Sequence, residues 1–370
     1  MIQLPYRDTT VARMQTEEIA RARRGVFRPP RRLTWVAWGA VTLITLLPLV
    51  IYMDLGQADL LLLIMFLVYG AQMVVSLRTA LLASELVARL LRMAGNWDLL
   101  VMTGLDSRQT IWGTWAAVMQ VRYRAHLRVG VLRLGAIIGM AQYLHSAPLP
   151  GQVIGVFLPG ALPFQIAQHP AFLYVSYPWV AGPELLFPAL TGLLLAIPLL
   201  ILFALLEAAI VTAAGVFVGI VFGEYETLRA IAGASVRVVM MIAAMTILLT
   251  TAGSNIDILR EGRCERPTLC SSYSANDPRR EAAFEDARNT LRIRETAQIA
   301  LSPWVDGGVM VGALLARPDT NQYTRSGDFM TRVGVAAGVS ALSLAFVGWI
   351  LLVLAQVAAI SRGMAPSPNR

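Results

Sequence analysis

The chain reads as an all-α polytopic membrane protein with about six transmembrane helices, and three observations predict it. Hydrophobic residues make up 56% of the 370 positions and charged residues 15%, against about 25% charged in an ordinary soluble domain. Apolar runs of roughly 18 residues or more recur along the chain, each long enough to cross ~30 Å of hydrocarbon. The arginines gather at some of the intervening segments and avoid others, as they do when a membrane separates two compartments.

Taken in order, residues 1–32 hold eight Arg against three acids and contain no apolar stretch of the kind that leads a cleavable signal peptide. They read as a cytoplasmic segment. Within it, residues 9–24 (TTVARMQTEEIARARR) suit an interfacial amphipathic helix. Five spans follow within 33–252: Leu33 to Met53, about Leu60 to Leu82, about Arg128 to His145, Leu185 to Phe222, and Ala230 to Ala252. The fourth is long for one crossing and includes Pro188 and Pro198. With no polar turn to divide it, it reads as one kinked or protruding helix, the alternative being two half-helices. The sixth span, Val333 to Ile360, lies in the last segment, 333–370, and leaves a short tail.

Orientation follows from charge. The segment 78–133 holds eight Arg against three acids, the turn after the first span holds only Asp54 and Asp59, and residues 253–332 hold eleven of each sign. The positive-inside bias therefore predicts a plasma (inner) membrane protein with both termini and the 83–127 segment in the cytoplasm. It places 147–183 and 253–332 outside. The former is rich in Pro, Tyr and Trp and suits headgroup depth. The latter carries the only two cysteines, Cys264 and Cys270, a spacing and location that favour a disulfide over a zinc site. Residues 277–300 then read as an amphipathic helix opened by Asp277 and Pro278. The run LSPWVDGGVMVGALL is too short to span and reads as a re-entrant or interfacial piece.

Composition also excludes chemistry. All 31 basic residues are Arg, so there is no P-loop lysine and no Schiff-base lysine. His126, His145 and His169 are scattered, and no nucleophile elbow, HExxH or paired-carboxylate motif is present, so no catalytic residue, metal site or cofactor of its own is expected. The net charge of +8 flanks apolar helices, so lipid is the expected partner and nucleic acid is not. Two charges fall inside spans, Glu207 and Arg237. Each left unpaired in lipid would cost at least ~2.5–3.5 kcal/mol. They read as a structural ion pair with each other, provided the hairpin is staggered, or as charges on a substrate path. Gly215, Gly219 and Gly223 stand four apart and offer a packing seam, within the chain or between two copies.

The most informative stretch is SELVARLLRMAGNWDLLVMTGLDSRQTIWG, residues 84–113. Leu86, Leu90 and Met93 share a helical face, and Asp106 or Ser107 suits the cap of a helix beginning near Arg108. With its Glu85, Asn96-Trp97-Asp98-Leu99-Leu100, Thr103-Gly104-Leu105-Asp106-Ser107-Arg108-Gln109 and Gly113, the stretch resembles the membrane subunits of type-2 ABC transporters, mostly exporters. Gly104 stands where that family usually has proline, Asn96 where it has threonine, and Thr114 where lysine is common. The resemblance implies six spans, an N-terminal interfacial helix, and re-entrant elements between the fifth and sixth spans. It implies a permease subunit that exports an unidentified substrate, with a second permease copy or homologue and separate ATPase subunits that bind the ATP. Glu85, Trp97, Asp98, Leu105, Asp106 and Arg108 would form the segment coupled to the ATPase. The competing expectation is a non-transporting membrane subunit that scaffolds a larger complex.

Overall fold

The computed structural model describes residues 9–25, 57–93, 106–146, 183–223, 296–297, 299–316 and 327–362, together with 239 and 242. Among these residues every element is helical and none is a strand. The helices are α1 (Thr10–Gly25), α2 (Gln57–Met93), α3 (Ser107–Ser146), α4 (Pro183–Val221), α5 (Val309–Ala316) and α6 (Gly327–Ser361). The expected first and fifth spans, the Cys264–Cys270 pair and the 277–295 stretch lie outside the described residues.

Two helices contain stretches long and apolar enough to cross a membrane, Gly192–Val221 and Thr331–Ser361. α4 is the axis of the bundle and packs against α2, α3, α5 and α6. Its sequence is apolar on every side; Leu200, Phe203, Ile210 and Val211 face the other helices, while Leu194, Leu195, Ile201 and Leu202 stay exposed. Its backbone stays helical through Pro188 and Pro198, so the single-helix reading of the fourth span holds and the two-half-helix alternative does not. α6 is less covered. Val335, Val339, Leu342, Phe346 and Trp349 are exposed at alternating steps of four and three, a continuous apolar stripe along its outer side.

α2 and α3 are longer than the spans expected from hydropathy. At 1.5 Å per residue, 37 and 40 residues make rods of about 55 and 60 Å. The helix that carries the expected third span begins not near Arg128 but at Ser107, because residues 107–127 continue the same helix. Much of the 83–127 segment is therefore the antiparallel continuation of α2 and α3, which pack against each other. Hydropathy could not reveal this, because Arg108, Arg122 and Arg124 dilute an otherwise uninterrupted helical stretch that carries no Gly–Pro punctuation.

The interior divides into two apolar regions. One surrounds α5 and includes Ile137, Ala196, Leu200, Phe203 and Val333. The other lies at the opposite end, where Ala83, Leu86, Ile111, Val118, Val216 and Leu352 meet Ile19 of α1. α1 is amphipathic as its sequence suggested: Val11, Ala12 and Ile19 are buried, while Arg13, Met14 and Glu17 face outward. It lies on α3, with Thr9 and Val11 against Gly113. The ends of α4 and α6 at this pole are tied together by Arg362, whose Nη2 donates to the carbonyl of Val221 at 2.8 Å.

Candidate functional site

Between the two apolar regions lies a belt of buried polar side chains, and its centre is Glu207. Glu207 is the sixteenth of the thirty residues in the apolar stretch 192–221, so it sits at the middle of that stretch. Helical spacing turns it toward α2 and α3. Ser76 of α2 donates from Oγ to its Oε1 at 3.1 Å, and Arg133 of α3 pairs with its Oε2. Arg133 has no exposed side-chain surface and Glu207 is 5% exposed, so this is a fully desolvated ion pair. Each ion gives up several kcal/mol of hydration on burial, and removing one partner costs about 3–5 kcal/mol because the other charge stays behind.

The belt continues along α2, where Gln72, Ser76 and Thr79 are all buried at steps of four and three, one face of the helix. Thr79 Oγ1 and His126 Nε2 of α3 are hydrogen-bonded at 3.1 Å. Above Ser76, Gln72 Nε2 donates to the carbonyl of Val305 at 3.4 Å. That carbonyl belongs to a second component, the helix break at 306–308.

Residues 299–306 are helical, and Gly307 and Gly308 then break the helix before α5 begins. Their φ angles are +65° and +95°, a region side-chain-bearing residues avoid. The Gly307 N–H donates to Pro303 O at 3.0 Å, completing the first helix, and the Gly312 N–H donates to Gly308 O at 2.9 Å in the second. Asp306 joins the two. Its carboxylate accepts from the Gly308 N–H at 2.7 Å and from the Met310 N–H at 2.9 Å, meeting the positive pole of α5 with a negative charge. The backbone of Gly307 lies against the Arg133 guanidinium, so closely that a Cβ there would overlap it, and Gly308 lies on the ring of Phe203. From this point α5 runs along α4 in the opposite direction, bringing the backbone of Leu315 and Ala316 against Gly192.

One guanidinium therefore pairs with Glu207 and also lies against the backbone of Gly307, the residue after Asp306. Its Nη2 is hydrogen-bonded, while Nε and Nη1 have no hydrogen-bond partner among the described residues; Oε1 of Gln72 likewise has none.

The chain matches no described protein family, no curated protein and no solved structure. The arrangement must be read from its own chemistry. It can hold a charged helix break at the centre of an apolar bundle, and among the described residues there is no cluster of His, Cys, Asp or Glu suited to a metal ion.

Of the residues singled out from sequence, Glu207 is placed at the centre, where it pairs with Arg133. Arg237 lies outside the described residues. Arg133, counted among the eight Arg of 78–133 that set the orientation, is fully buried. A signal was available: Arg133 lies five residues inside the expected third span, where a guanidinium needs a carboxylate. Gly215 and Gly219 form the expected seam, and it lies within the chain. A Cβ on Gly215 would collide with the Ala80 carbonyl and sit 2.8 Å from Ala83 Cβ; one on Gly219 would lie 2.8 Å from Ser84 O. Gly223 is buried at the end of α4. Glu85 forms an exposed i,i+4 pair with Arg89 at 2.9 Å, a contact worth a few tenths of a kcal/mol. Asp106 caps α3, accepting from the Gln109 N–H through its side chain and from Thr110 through its carbonyl. Arg108 is exposed on the first turn. Trp97, Asp98 and Leu105 lie outside the described residues.

Proposed function

We propose that this protein is an integral membrane permease subunit of an ATP-driven ABC exporter, with two copies or a homologue forming the pathway and separate subunits supplying ATP hydrolysis. In this reading the arginine-rich pole, with α1 and the ends of α2 and α3, faces the cytoplasm, as do both termini. The break at 306–308 enters from the opposite side as a re-entrant element. Irregular backbone at that depth is tolerated because protein surrounds it.

The observation that carries the reading is the α2–α3 pair. Ser84 and Val87 lie opposite Gly219, two residues before the end of α4. The six remaining residues of α2 extend about 9 Å further, and α3 returns from its Asp106 cap with α1 packed on its side. Such a tip, joined by residues 94–105, suits docking of a soluble ATPase. α3 is unbroken from Ser107 to Arg133, about 39 Å of helix, so a push at the tip arrives at the buried ion pair as a displacement of one rigid rod. Lys is absent from the chain, which suits a subunit that leaves nucleotide hydrolysis to a partner.

The test is affinity purification in mild detergent from the native host, with ATPase activity measured on the eluate. A P-loop ATPase should co-purify, and Trp97→Ala combined with Leu105→Asp should release it while the variant remains folded. Retention of the ATPase by that variant would remove the coupling role of this tip. Recovery of other membrane proteins with no ATPase would favour the scaffold function instead.

A further inference from the structure

Four features of the helix break fit together. The segment enters the bundle at its charged centre and is flanked by two glycines with positive φ, which give the backbone a pivot that other residues would resist. Its contact with α3 runs through Gly307 against a guanidinium and Gly312 against Ile137, and its contact with α4 begins with Gly308 against Phe203, so at the pivot the segment offers only backbone to these side chains. Asp306 is held by its own helix terminus, and the next residue, Gly307, lies on the Arg133 guanidinium. Finally, the guanidinium that seats it is fully buried, and its Nε and Nη1 have no hydrogen-bond partner among the described residues. A buried network satisfied only in part is a weak point of a packed interior. The polar groups against the segment are Tyr69 and Gln72 from α2, Arg133 from α3 with Glu207 of α4 behind it, and Ser343 from α6.

We infer that residues 299–316 form a movable plug, and that the charge of Arg133, shared between Glu207 and Asp306, is the catch that holds it in the bundle. The inference rests on the bundle geometry and not on the ATPase partnership, so its test runs on the purified chain alone in lipid nanodiscs. Arg133 has two duties in this account: it must pair with Glu207, and it must present positive charge to Asp306. Exchanging the charges separates these duties. Arg133→Glu with Glu207→Arg keeps an ion pair between α3 and α4 but sets a carboxylate beneath Gly307 and Asp306.

The reporter is Ala313→Cys on α5, a position with no exposed surface in the docked state, in a Cys264→Ser, Cys270→Ser background. A membrane-impermeant maleimide is added and the labelling rate followed. Unswapped protein should label slowly, the charge-swapped protein at least about ten times faster, and addition of Asp306→Asn to the swap should recover most of the protection. Helical content and gel-filtration position establish that the swapped protein is folded. Should it fail to fold, Gly307→Ala with native charges presses on the guanidinium and on the pivot together, and it should raise labelling severalfold. Labelling at the unswapped rate in the folded swap, or in Gly307→Ala where the swap does not fold, overturns the catch. Fast labelling of the folded swap that Asp306→Asn leaves unchanged overturns it too, since repulsion at Asp306 would not be the cause.

Discussion

α4 meets α2 twice, and the two meetings are made of opposite materials. Near the middle of its apolar stretch Glu207 reaches Ser76 through a hydrogen bond, with Arg133 completing a charged knot. Two turns later Gly215 and Gly219 let the backbones of α4 and α2 touch, against Ala80, Ala83, Ser84 and Val87. The glycine seam is dry, close and indifferent to charge; it holds by dispersion and shape. The knot is strong only while every partner stays in place. One region fixes the rods together, and the other makes their arrangement depend on a third element, the break at 306–308. A bundle built wholly like the seam would have no place where a re-entrant segment could be held or released by a charge.

The largest effect should come from breaking the knot on one side. Arg133→Ala leaves Glu207 and Asp306 buried without their cation, at a cost of about 3–5 kcal/mol, read as a large fall in thermal or denaturant midpoint in nanodiscs. Glu207→Gln should cost less, because the amide oxygen still accepts from the guanidinium and the amide NH2 can donate to the Ser76 hydroxyl. The seam is next. Gly215→Val places two methyls where Ala80 and Ala83 already stand, and overpacking of this kind costs about 1–3 kcal/mol, without the charge dependence expected of the knot. Gly307→Ala should follow at about 1–3 kcal/mol, from φ +65° and from contact with the guanidinium. Smallest is Asp106→Ala at the tip, about 1 kcal/mol of lost cap. It should appear as faster amide exchange in the first turn of α3 with little change in the global midpoint, and Asp106→Asn should be close to neutral.

The two regions were also unequally legible in the sequence. The seam could be read as a stripe of glycines four apart because its chemistry is local, and only the choice between an internal and an intersubunit contact had to wait for α2. Capping by Asp106 and the unbroken fourth helix were legible for the same reason: each depends on neighbours in the chain. The knot depends on residues 74 positions apart, Arg133 and Glu207, and on a helix break another hundred residues on. Hydropathy marked Glu207 as in need of a partner without indicating which helix would supply it. It favoured Arg237 because sequential spans usually neighbour one another. The lengths of α2 and α3 were hidden for a related reason. Arginines on their outer surfaces lower the local hydropathy without ending a helix, so charge marked a boundary where the backbone has none.

The central claim is that Arg133 binds the helix break as well as Glu207, and a double-mutant cycle between Arg133 and Asp306 tests it most directly. Stability in nanodiscs is measured for wild type, Arg133→Gln, Asp306→Asn and the double variant. The account expects the double variant to be more stable than the sum of the single losses by about 0.5–3 kcal/mol, since Arg133→Gln leaves the Asp306 charge without its cation and Asp306→Asn removes that charge. Additivity within about 0.3–0.5 kcal/mol, the behaviour of independent sites, would contradict it.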